Sequence, residues 1–391
     1  MRDELDGSSV ILQGKSTILV VEPSKLSGRL TLPSSKSHLM RWLILSSMDK
    51  NPTKIIASDI GNDVNAMIDC LEKLGIKWDG SSITGGDLID PGCILDCKNS
   101  GTALRFLIAQ VASCDFYCTF DGDYTLRERS CFPLLESLGV DVRSKSELDK
   151  LPIEIKGPFS KSSIAVEVSK TSQYFSALML MAPRTNGFTI NLSGSPVSQN
   201  HSDLTWRLCK ITGAKEIGMP WDVECPDTVV IPSDASMSAF AKLANLGITN
   251  PPPESESIGH DLDNLDLTNS NDLITPMAAW MAIGNGGKIT GAKHSMYKES
   301  NRLLRTKDLL NAFGLKCDLT EDGLVIDGNQ ELQKPAKKVE TYGDHRIQMT
   351  AIILASMVGG RIENTMLHQI AWPSFLSQLK RCGLTCFEET I

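Results

Sequence analysis

Six times along this chain, a short run typical of a β-strand is followed by a polar loop and then by a helix with an apolar face. The loops are rich in Ser, Thr, Asn and Asp, the residues that cap helix N-termini. They lie at 33–37, 99–102, 170–173, 233–236, 268–273 and 342–346. Five helices also stop at a glycine placed for a left-handed cap, before the chain returns to a strand-like run. These glycines are Gly75, Gly139, Gly213, Gly314 and Gly383. The pattern predicts an internally duplicated α/β protein built from strand–helix units.

The composition narrows the class of protein. The chain has 391 residues, of which 41% are apolar, and this is enough for two or three domains with full cores. Its formal net charge of -8 argues against a surface for nucleic acid or anionic membrane spread over the whole molecule. Residues 1–15 include acidic side chains and no long apolar run, so we expect no signal peptide or membrane anchor. The apolar stretches 177–182 and 351–357 are too short to cross a bilayer.

The 11 cysteines include pairs with three residues between their members, whereas zinc motifs usually have two. We therefore expect reduced thiols in a cytoplasmic protein. The stretch 245–266 is the richest in Pro and acidic residues, and we interpret it as a surface connection.

The first three loops place cations or hydrogen-bonding side chains where a helix begins. Lys36 follows two serines, so its ammonium lies where free backbone N–H groups also point, and Arg41 follows one helical turn later. Gly101 permits close approach of a ligand to the backbone, with Arg105 in the next turn. The loop 170–173 offers two hydroxyls and an amide. Each loop alone fits a capped helix with a solvated surface equally well.

Two later segments carry more charge. Residues 122–129 place two arginines around one glutamate, which alone is a surface charge run. Lys298 and Arg302 are predicted to share one face of a helix, where like charges repel unless an anion lies between them. Glu299 would relieve this in part, and the alternative is a solvated basic face.

The last polar loop adds Asp344, His345 and Arg346 before an apolar helix, and an ion pair of Asp344 with Arg346 is the alternative to a functional role. Asp272 is the carboxylate that we place in the site as a base, although it could also be a helix N-cap. Cations at the helix-opening ends of repeated units, in an acidic protein, together predict one pocket for a small, multiply anionic ligand. No Walker loop, Rossmann fingerprint or His-Glu zinc motif occurs, so we expect neither a metal nor a cofactor.

From about Leu19 to Leu379, the order of the loops and the residues in them resemble those of the 5-enolpyruvylshikimate-3-phosphate synthase family. The matching motifs include Pro-x-Ser-Lys-Ser, Asn-x-Gly-Thr-Ala-x-Arg, Lys-Glu-x-x-Arg and Asp-His-Arg. The resemblance implies that substrates are bound by Lys36, Ser37, Arg41, Asn99, Gly101, Thr102, Arg129, Thr171, Ser172, Gln173, Ser198, Asp272, Lys298, Arg302 and Arg346. It implies that catalysis depends on Asp272, Lys298, Glu299 and His345.

The same resemblance implies the reaction and the fold. The enolpyruvyl group of phosphoenolpyruvate would pass to the 5-hydroxyl of shikimate 3-phosphate, with Asp272 accepting the hydroxyl proton. The fold would be a two-domain inside-out α/β barrel of six strand–helix units, three in each domain. One domain would comprise 1–33 and 231–391, and the inserted domain 34–230. We expect a monomer that closes over its substrates.

The chain departs from the family pattern at four places. Ile370 replaces a common lysine before the last motif, Phe106 a proline, and Met296 an arginine. Residues 199–201 read Gln-Asn-His in place of Lys/Arg-Pro-Tyr. The identity of the acceptor substrate and the sensitivity of the protein to inhibitors therefore stay open.

Three rival functions remain. The related transferase that acts on UDP-N-acetylglucosamine carries Lys-Asn where this chain has Lys36-Ser37, and a loop cysteine among glycines that is not found here. A catalytically silent homologue would bind a phosphorylated acid as a regulator, but it has no use for a full set of acid–base groups. A transferase for another phosphorylated cyclic acid is the third possibility.

Overall fold

The polar loops found in the sequence do open helices in the computed structural model, which describes residues 17–144, 150–254, 263–363 and 366–390. The Ser100 hydroxyl accepts a hydrogen bond from the Ala103 N–H, and the Asp344 carboxylate accepts one from the Arg346 N–H. Residues 1–15 and part of the predicted surface connection, 255–262, lie outside the described residues.

The helices alternate with strands throughout the described chain. The helices are α1 (Lys36–Ser46), α2 (Asn62–Lys73), α3 (Gly101–Val111), α4 (Tyr124–Arg127), α5 (Phe132–Leu138), α6 (Gln173–Met181), α7 (Gln199–Ile211), α8 (Ser238–Leu243), α9 (Ile274–Ile283), α10 (Arg302–Ala312), α11 (His345–Val358) and α12 (Phe375–Arg381). The strands are β1 (Thr17–Val21), β2 (Arg29–Leu30), β3 (Thr53–Ile56), β4 (Lys77–Trp78), β5 (Ser82–Thr84), β6 (Leu95–Asp96), β7 (Cys118–Asp121), β8 (Asp141–Ser144), β9 (Ile153–Lys156), β10 (Ser163–Glu167), β11 (Thr189–Ser193), β12 (Thr228–Val230), β13 (Gly247–Ile248), β14 (Asn264–Asp266), β15 (Gly286–Thr290), β16 (Cys317–Leu319), β17 (Leu324–Asp327), β18 (Gly360–Glu363) and β19 (Cys386–Thr390).

The sheets show the duplication directly. Three sheets have the same topology, in which a parallel pair is extended by two antiparallel pairings: β12-β3-β5-β4, β6-β7-β9-β8 and β14-β15-β17-β16. Two more sheets contain only a parallel pair, β10-β11 and β13-β2, and the sixth is the antiparallel β18-β1-β19. The predicted α/β class and internal duplication are thereby confirmed.

The predicted cap glycines are confirmed, whereas two of the predicted strands do not form. All five predicted cap glycines have positive φ, from 63° at Gly139 to 110° at Gly213. The strand expected after Gly213 is absent, because Gly218 with φ of 81° and Pro220 interrupt extended pairing there. The strand-like run before α11 is also absent, since Val339 forms only an isolated bridge with Ile362.

The buried apolar side chains form two clusters. One draws on residues 39–231, and the other on 19–32 together with 237–384. The chain crosses between them twice at neighbouring points, where Ser34 and Ser233 form an antiparallel bridge. These clusters support the proposed domains 1–33 plus 231–391 and 34–230. No helix within the described ranges combines the length and apolarity that crossing a bilayer requires.

Candidate active site

A cavity of about 560 Å³ lies between the two clusters, and the helix-opening loops of both domains line it. All but two of the residues predicted for the site reach its lining. They are Lys36, Ser37, Arg41, Gly101, Thr102, Arg129, Thr171, Ser172, Gln173, Ser198, Asp272, Lys298, Glu299, His345 and Arg346. The exceptions, Asn99 and Arg302, are buried behind the lining and hold residues that reach it.

Lys36 is held by a carboxylate that the sequence analysis missed. Its ammonium lies 2.8 Å from a carboxylate oxygen of Asp63, in the first turn of α2. Burial alone would lower the pKa of Lys36, but Asp63 and Glu299 raise it above the usual value. Lys36 is therefore a permanent cation at neutral pH.

The start of α3 brings two guanidinium groups together. A side chain at Gly101 would begin 2.4 Å from Arg105 and 3.2 Å from Arg129, so glycine leaves room for both. Arg129 donates a hydrogen bond of 2.5 Å to the carbonyl of Asn99 and lies 3.9 Å from Glu299 of the other domain.

Gln173 connects the second and third loops. Its side-chain oxygen accepts a hydrogen bond of 2.7 Å from Arg105, and its amide nitrogen donates one of 3.0 Å to Thr102. The neighbouring Thr171 and Ser172 present hydroxyls at the same wall. Hydrogen-bond donors from the first three polar loops thus line the same cavity.

Four cations of the cavity form no ion pair with any carboxylate of the described residues: Arg41, Arg105, Lys298 and the exposed Lys170. Arg41 is only 2% exposed, and its guanidinium donates to neutral oxygens of Thr205, Ser37 and His201. Lys298 is half-buried. Burial lowers the pKa of Arg41 to about 9, and it also lowers that of Lys298 despite the opposing charge of Asp272. Buried unpaired cations call for an anion, which a ligand would supply.

Arg302 is the centre of an ion-pair network. Its guanidinium contacts the carboxylates of Asp272 at 2.7 Å, Glu299 at 2.5 Å and Asp344 at 2.9 Å. Its side chain is 1% exposed and that of Asp344 is fully buried. The Arg302 guanidinium thus holds the carboxylates of Asp272 and Glu299, which both line the cavity, in fixed positions.

Asp272 is ionised in the free protein. Burial raises its pKa, but the nearby charges of Arg346, Lys298 and Arg302 outweigh burial and lower the pKa well below 3.8. Arg346 lies 3.2 Å from its carboxylate and donates a second hydrogen bond to its backbone carbonyl. The same balance between burial and Arg302 lowers the pKa of Glu299.

His345 lies at the N-terminus of α11, and neither of its ring nitrogens has a hydrogen-bond partner within the described residues. Burial lowers its pKa to about 3, against the opposing influence of Glu299. The imidazole is therefore neutral at physiological pH and has both nitrogens available to a ligand.

One prediction about local structure was wrong, and two of the alternatives to a functional role do not hold. Lys298 and Arg302 do not share a helical face, because the helix begins only at Arg302 and Asn301 caps it. Asp344 does not pair with the Arg346 side chain. It binds Arg302 and accepts a hydrogen bond from the Arg346 N–H, while the Arg346 guanidinium turns to Asp272. Nor is Asp272 an N-cap, since Ser270 precedes that helical turn.

The cavity lining also contains Asp63, Arg105 and His201. The sequence indicates Arg105, which ends the Asn-x-Gly-Thr-Ala-x-Arg motif, whereas His201 stands three residues after Ser198 and is known from the sequence only as a departure from the family pattern. No sequence signal indicates Asp63, because only tertiary packing brings α2 beside Lys36.

One departure from the family pattern has a local explanation. Phe106 is buried, and the Arg41 guanidinium lies 5.3 Å from its ring centroid, so the ring stabilises a cavity cation. Ile370 is buried, and nothing in the structure explains why it replaces a lysine.

Comparison with known proteins gives a consistent result. The family profile of EPSP synthase (3-phosphoshikimate 1-carboxyvinyltransferase) matches residues 20–240 and 248–379. The 3-phosphoshikimate 1-carboxyvinyltransferase of Methanocorpusculum labreanum is 27% identical, over 95% of this chain and 100% of that protein. The enzyme of the same name from Caldivirga maquilingensis is 29% identical, over 88% of this chain and 92% of its own.

Solved structures agree on the fold. EPSP synthase from Acinetobacter baumannii superposes with a TM-score of 0.72 and 19% identity, covering 96% of this chain and 100% of that one. The enolpyruvyl transferase NikO from Streptomyces tendae gives a TM-score of 0.66 and 13% identity, covering 97% of this chain and 100% of that one. The predicted fold class, the two-domain α/β fold of enolpyruvyl transferases, is confirmed.

Proposed function

This chain belongs to the EPSP synthase (3-phosphoshikimate 1-carboxyvinyltransferase) family, and we infer that it transfers the enolpyruvyl group of phosphoenolpyruvate to the 5-hydroxyl of shikimate 3-phosphate, releasing phosphate. The observation that carries this inference is the interdomain cavity. It combines cations that have no carboxylate partner among the described residues, such as Arg41 and Lys298, with Asp272, which neighbouring cations keep ionised. Both substrates carry several negative charges, and the reaction needs one group to take a proton from the acceptor hydroxyl.

The proposed substrate-binding residues form two sets, one for each substrate. We propose that Lys36, Arg129 and Arg346 bind the phosphate and carboxylate of phosphoenolpyruvate, with Gly101 against the same ligand. Shikimate 3-phosphate would be bound by Ser37, Arg41, Thr102, Thr171, Ser172, Gln173, Ser198 and Lys298. Asn99 and Arg302 would act through the residues that they hold.

We propose an addition followed by an elimination. Asp272 accepts the proton of the attacking hydroxyl as that oxygen bonds to C2, while C3 gains a proton from the group formed by Lys298, Glu299 and His345. In the elimination, the same group takes a proton from C3 as phosphate leaves C2, and this restores the double bond. Preorganised cations stabilise the charge that develops.

The pKa of Asp272 makes its role depend on the ligands. In the free protein its low pKa makes it a weak base. Anionic substrates would neutralise Lys298 and Arg346, two of the charges that lower this pKa. Substrate binding therefore strengthens the base that the reaction requires.

A silent regulator is the second candidate, because Ile370 stands where a cationic side chain is common in the family. The acid–base groups Asp272, Glu299, Lys298 and His345 all line one cavity, and this favours the enzyme. We further propose a cytoplasmic monomer that requires no metal or cofactor.

The test is phosphate release by the purified protein with phosphoenolpyruvate and shikimate 3-phosphate together, against each substrate alone, with a metal chelator present. We expect release only with both, unchanged by the chelator. Binding of both without release would support the silent regulator. Release with UDP-N-acetylglucosamine, or with another phosphorylated cyclic acid, would instead identify a different acceptor.

Replacing Lys36 by Met should raise the KM for phosphoenolpyruvate about 10- to 100-fold, because a charge-assisted contact contributes about 1.5–3 kcal/mol. The change also leaves Asp63 buried without a partner, so the double variant Lys36→Met/Asp63→Asn is the matched control. Both variants should show the higher KM in steady-state assays. An unchanged KM and kcat would remove Lys36 from the site.

A further inference from the structure

The start of α2 packs against the other domain. Gly61, which precedes the helix, lies so close to that domain that a Cβ there would be 2.9 Å from the Cα of Ala371 and closer still to the Ile370 carbonyl oxygen. Asp63, in the first turn of the same helix, holds the Lys36 ammonium at 2.8 Å. The contact between the domains thus lies two residues from the carboxylate that holds a cavity cation.

Lys36 is the one polar partner of the Asp63 carboxylate within the described part of the chain. One carboxylate oxygen contacts the ammonium, and the other has no hydrogen-bond partner among the described residues. The Asp63 side chain is only 5% exposed, so solvent does not hold it either. The place of the carboxylate, and with it that of the ammonium, therefore depends on where the backbone of α2 begins.

A hydrogen-bonded clamp, formed by Asp59 and Ser374, fixes that backbone four residues before Asp63. The Asp59 carboxylate, in the domain of α2, accepts hydrogen bonds from the Ser374 N–H at 3.0 Å and from the Ser374 hydroxyl, in the other domain. Asp59 has a φ of 53°, in the left-handed region that residues with a Cβ rarely adopt. Such a conformation persists where surrounding contacts hold it, and the bonds to Ser374 are contacts of that kind.

Ser374 is itself held from within its own domain. The Gln378 amide nitrogen, in the first turn of α12, donates a hydrogen bond of 2.6 Å to the Ser374 hydroxyl oxygen and one of 2.8 Å to the Thr31 carbonyl. The Gln378 side-chain oxygen accepts a third, of 2.7 Å, from the Thr31 N–H. On the opposite side of the clamp, Ser58 exchanges two hydrogen bonds with Ser34, where the chain crosses between the domains. The clamp thus closes a ring of hydrogen bonds around this crossing.

We propose that Asp59 and Ser374 are positioning residues for phosphoenolpyruvate: the clamp fixes the start of α2 and thereby places Asp63 and the Lys36 ammonium in the cavity. This inference rests on the proposed function, in which Lys36 binds that substrate. The domain that does not contain Lys36 then takes part in placing it. Loss of the clamp should weaken the binding of phosphoenolpyruvate and spare the acceptor, because Lys36 is the one residue that Asp63 bonds within the described chain.

The test is steady-state phosphate release by the full chain, with variants of the clamp. Asp59→Gly permits the left-handed backbone and removes the carboxylate, whereas Ser374→Ala removes the hydroxyl. Each should raise the KM for phosphoenolpyruvate about 5- to 10-fold, because a displacement of about 1 Å weakens a contact without abolishing it. The kcat should stay within about twofold of the wild type, since only binding is lost. Asp59→Asn should keep a KM near that of the wild type, because an amide oxygen also accepts hydrogen bonds and asparagine tolerates positive φ.

A double-mutant cycle with Lys36 distinguishes positioning from a general loosening of the fold. Once Lys36 is replaced by Met, the clamp has no ammonium to place, so adding Asp59→Gly should change the KM by less than about twofold. The dissociation constant of shikimate 3-phosphate, measured by calorimetry, should be the same in Asp59→Gly as in the wild type. Asp69→Asn, which removes an exposed pair with Lys73 on the same helix, is the matched control and should behave as the wild type.

Three outcomes would overturn the proposal while leaving the transferase function intact. They are an unchanged KM for phosphoenolpyruvate in both clamp variants, an equal loss of affinity for the two substrates, and a further rise of similar size when Asp59→Gly is added to Lys36→Met. A normal KM in Lys36→Met, or no phosphate release by the wild type, would instead contradict the proposed function.

Discussion

Replacing Asp272 by Asn should lower kcat by about 10²- to 10⁴-fold, because the amide has nearly the shape of the carboxylate but cannot take the proton of the acceptor hydroxyl. Binding of shikimate 3-phosphate should persist or become tighter. The variant removes a negative charge beside Lys298 and Arg346, and this makes the cavity more attractive to an anion.

The measurements are steady-state phosphate release and direct titration of the acceptor. Asp318→Asn, which removes an exposed aspartate on β16, is the matched control and should behave as the wild type. A kcat within about threefold of the wild type would exclude Asp272 as the base. Loss of both binding and turnover would show that the variant has lost the structure of the site.

The second large effect concerns stability. Replacing Arg302 by Met leaves three carboxylates without their shared cation, and breaking a buried pair of this kind costs about 3–5 kcal/mol. We expect a loss of this size in the free energy of unfolding, measured by urea denaturation at pH 8. Arg305→Met, which removes a partly exposed pair with Asp308, should cost about 1 kcal/mol or less.

The pH dependence of the Arg302→Met variant has a definite sign. Arg302 is a main cause of the low pKa of Glu299 and contributes to that of Asp272, so its removal raises both pKa values. The folded variant then binds more protons than the folded wild type, so the stability lost on substitution grows as pH rises. The deficit relative to the wild type should shrink between pH 8 and pH 5. A deficit that is constant with pH would show that carboxylate ionisation is not its cause.

The sequence was informative wherever a residue acts through the local backbone. Helix-opening loops and cap glycines depend on neighbouring residues, and all five predicted glycines have the expected positive φ. All but two of the site residues that the resemblance implied line the cavity, because its motifs lie in those loops. Partnerships across the fold could not be predicted. Nothing near Lys36 in the chain indicates Asp63, and nothing in the last loop indicates that Asp344 binds Arg302 rather than Arg346.

Whether an arginine lies at the surface or in the cavity depends on the burial of its side chain, which cannot be read from the sequence. Arg127 and Arg129 stand two residues apart, yet Arg127 pairs with Asp121 at the surface while Arg129 enters the cavity.

The low proton affinity of Asp272 in the empty cavity has a consequence for the cell's supply of phosphoenolpyruvate. That compound is a high-energy metabolite, and a permanently strong base beside it would activate water and waste it by hydrolysis. In the mechanism that we propose, Asp272 becomes a strong base only when anions bind the surrounding cations. Phosphoenolpyruvate alone would supply only part of that charge, so the fully active base would coincide with the presence of the acceptor. The ion pairs of Asp272 would thus limit the hydrolysis of phosphoenolpyruvate.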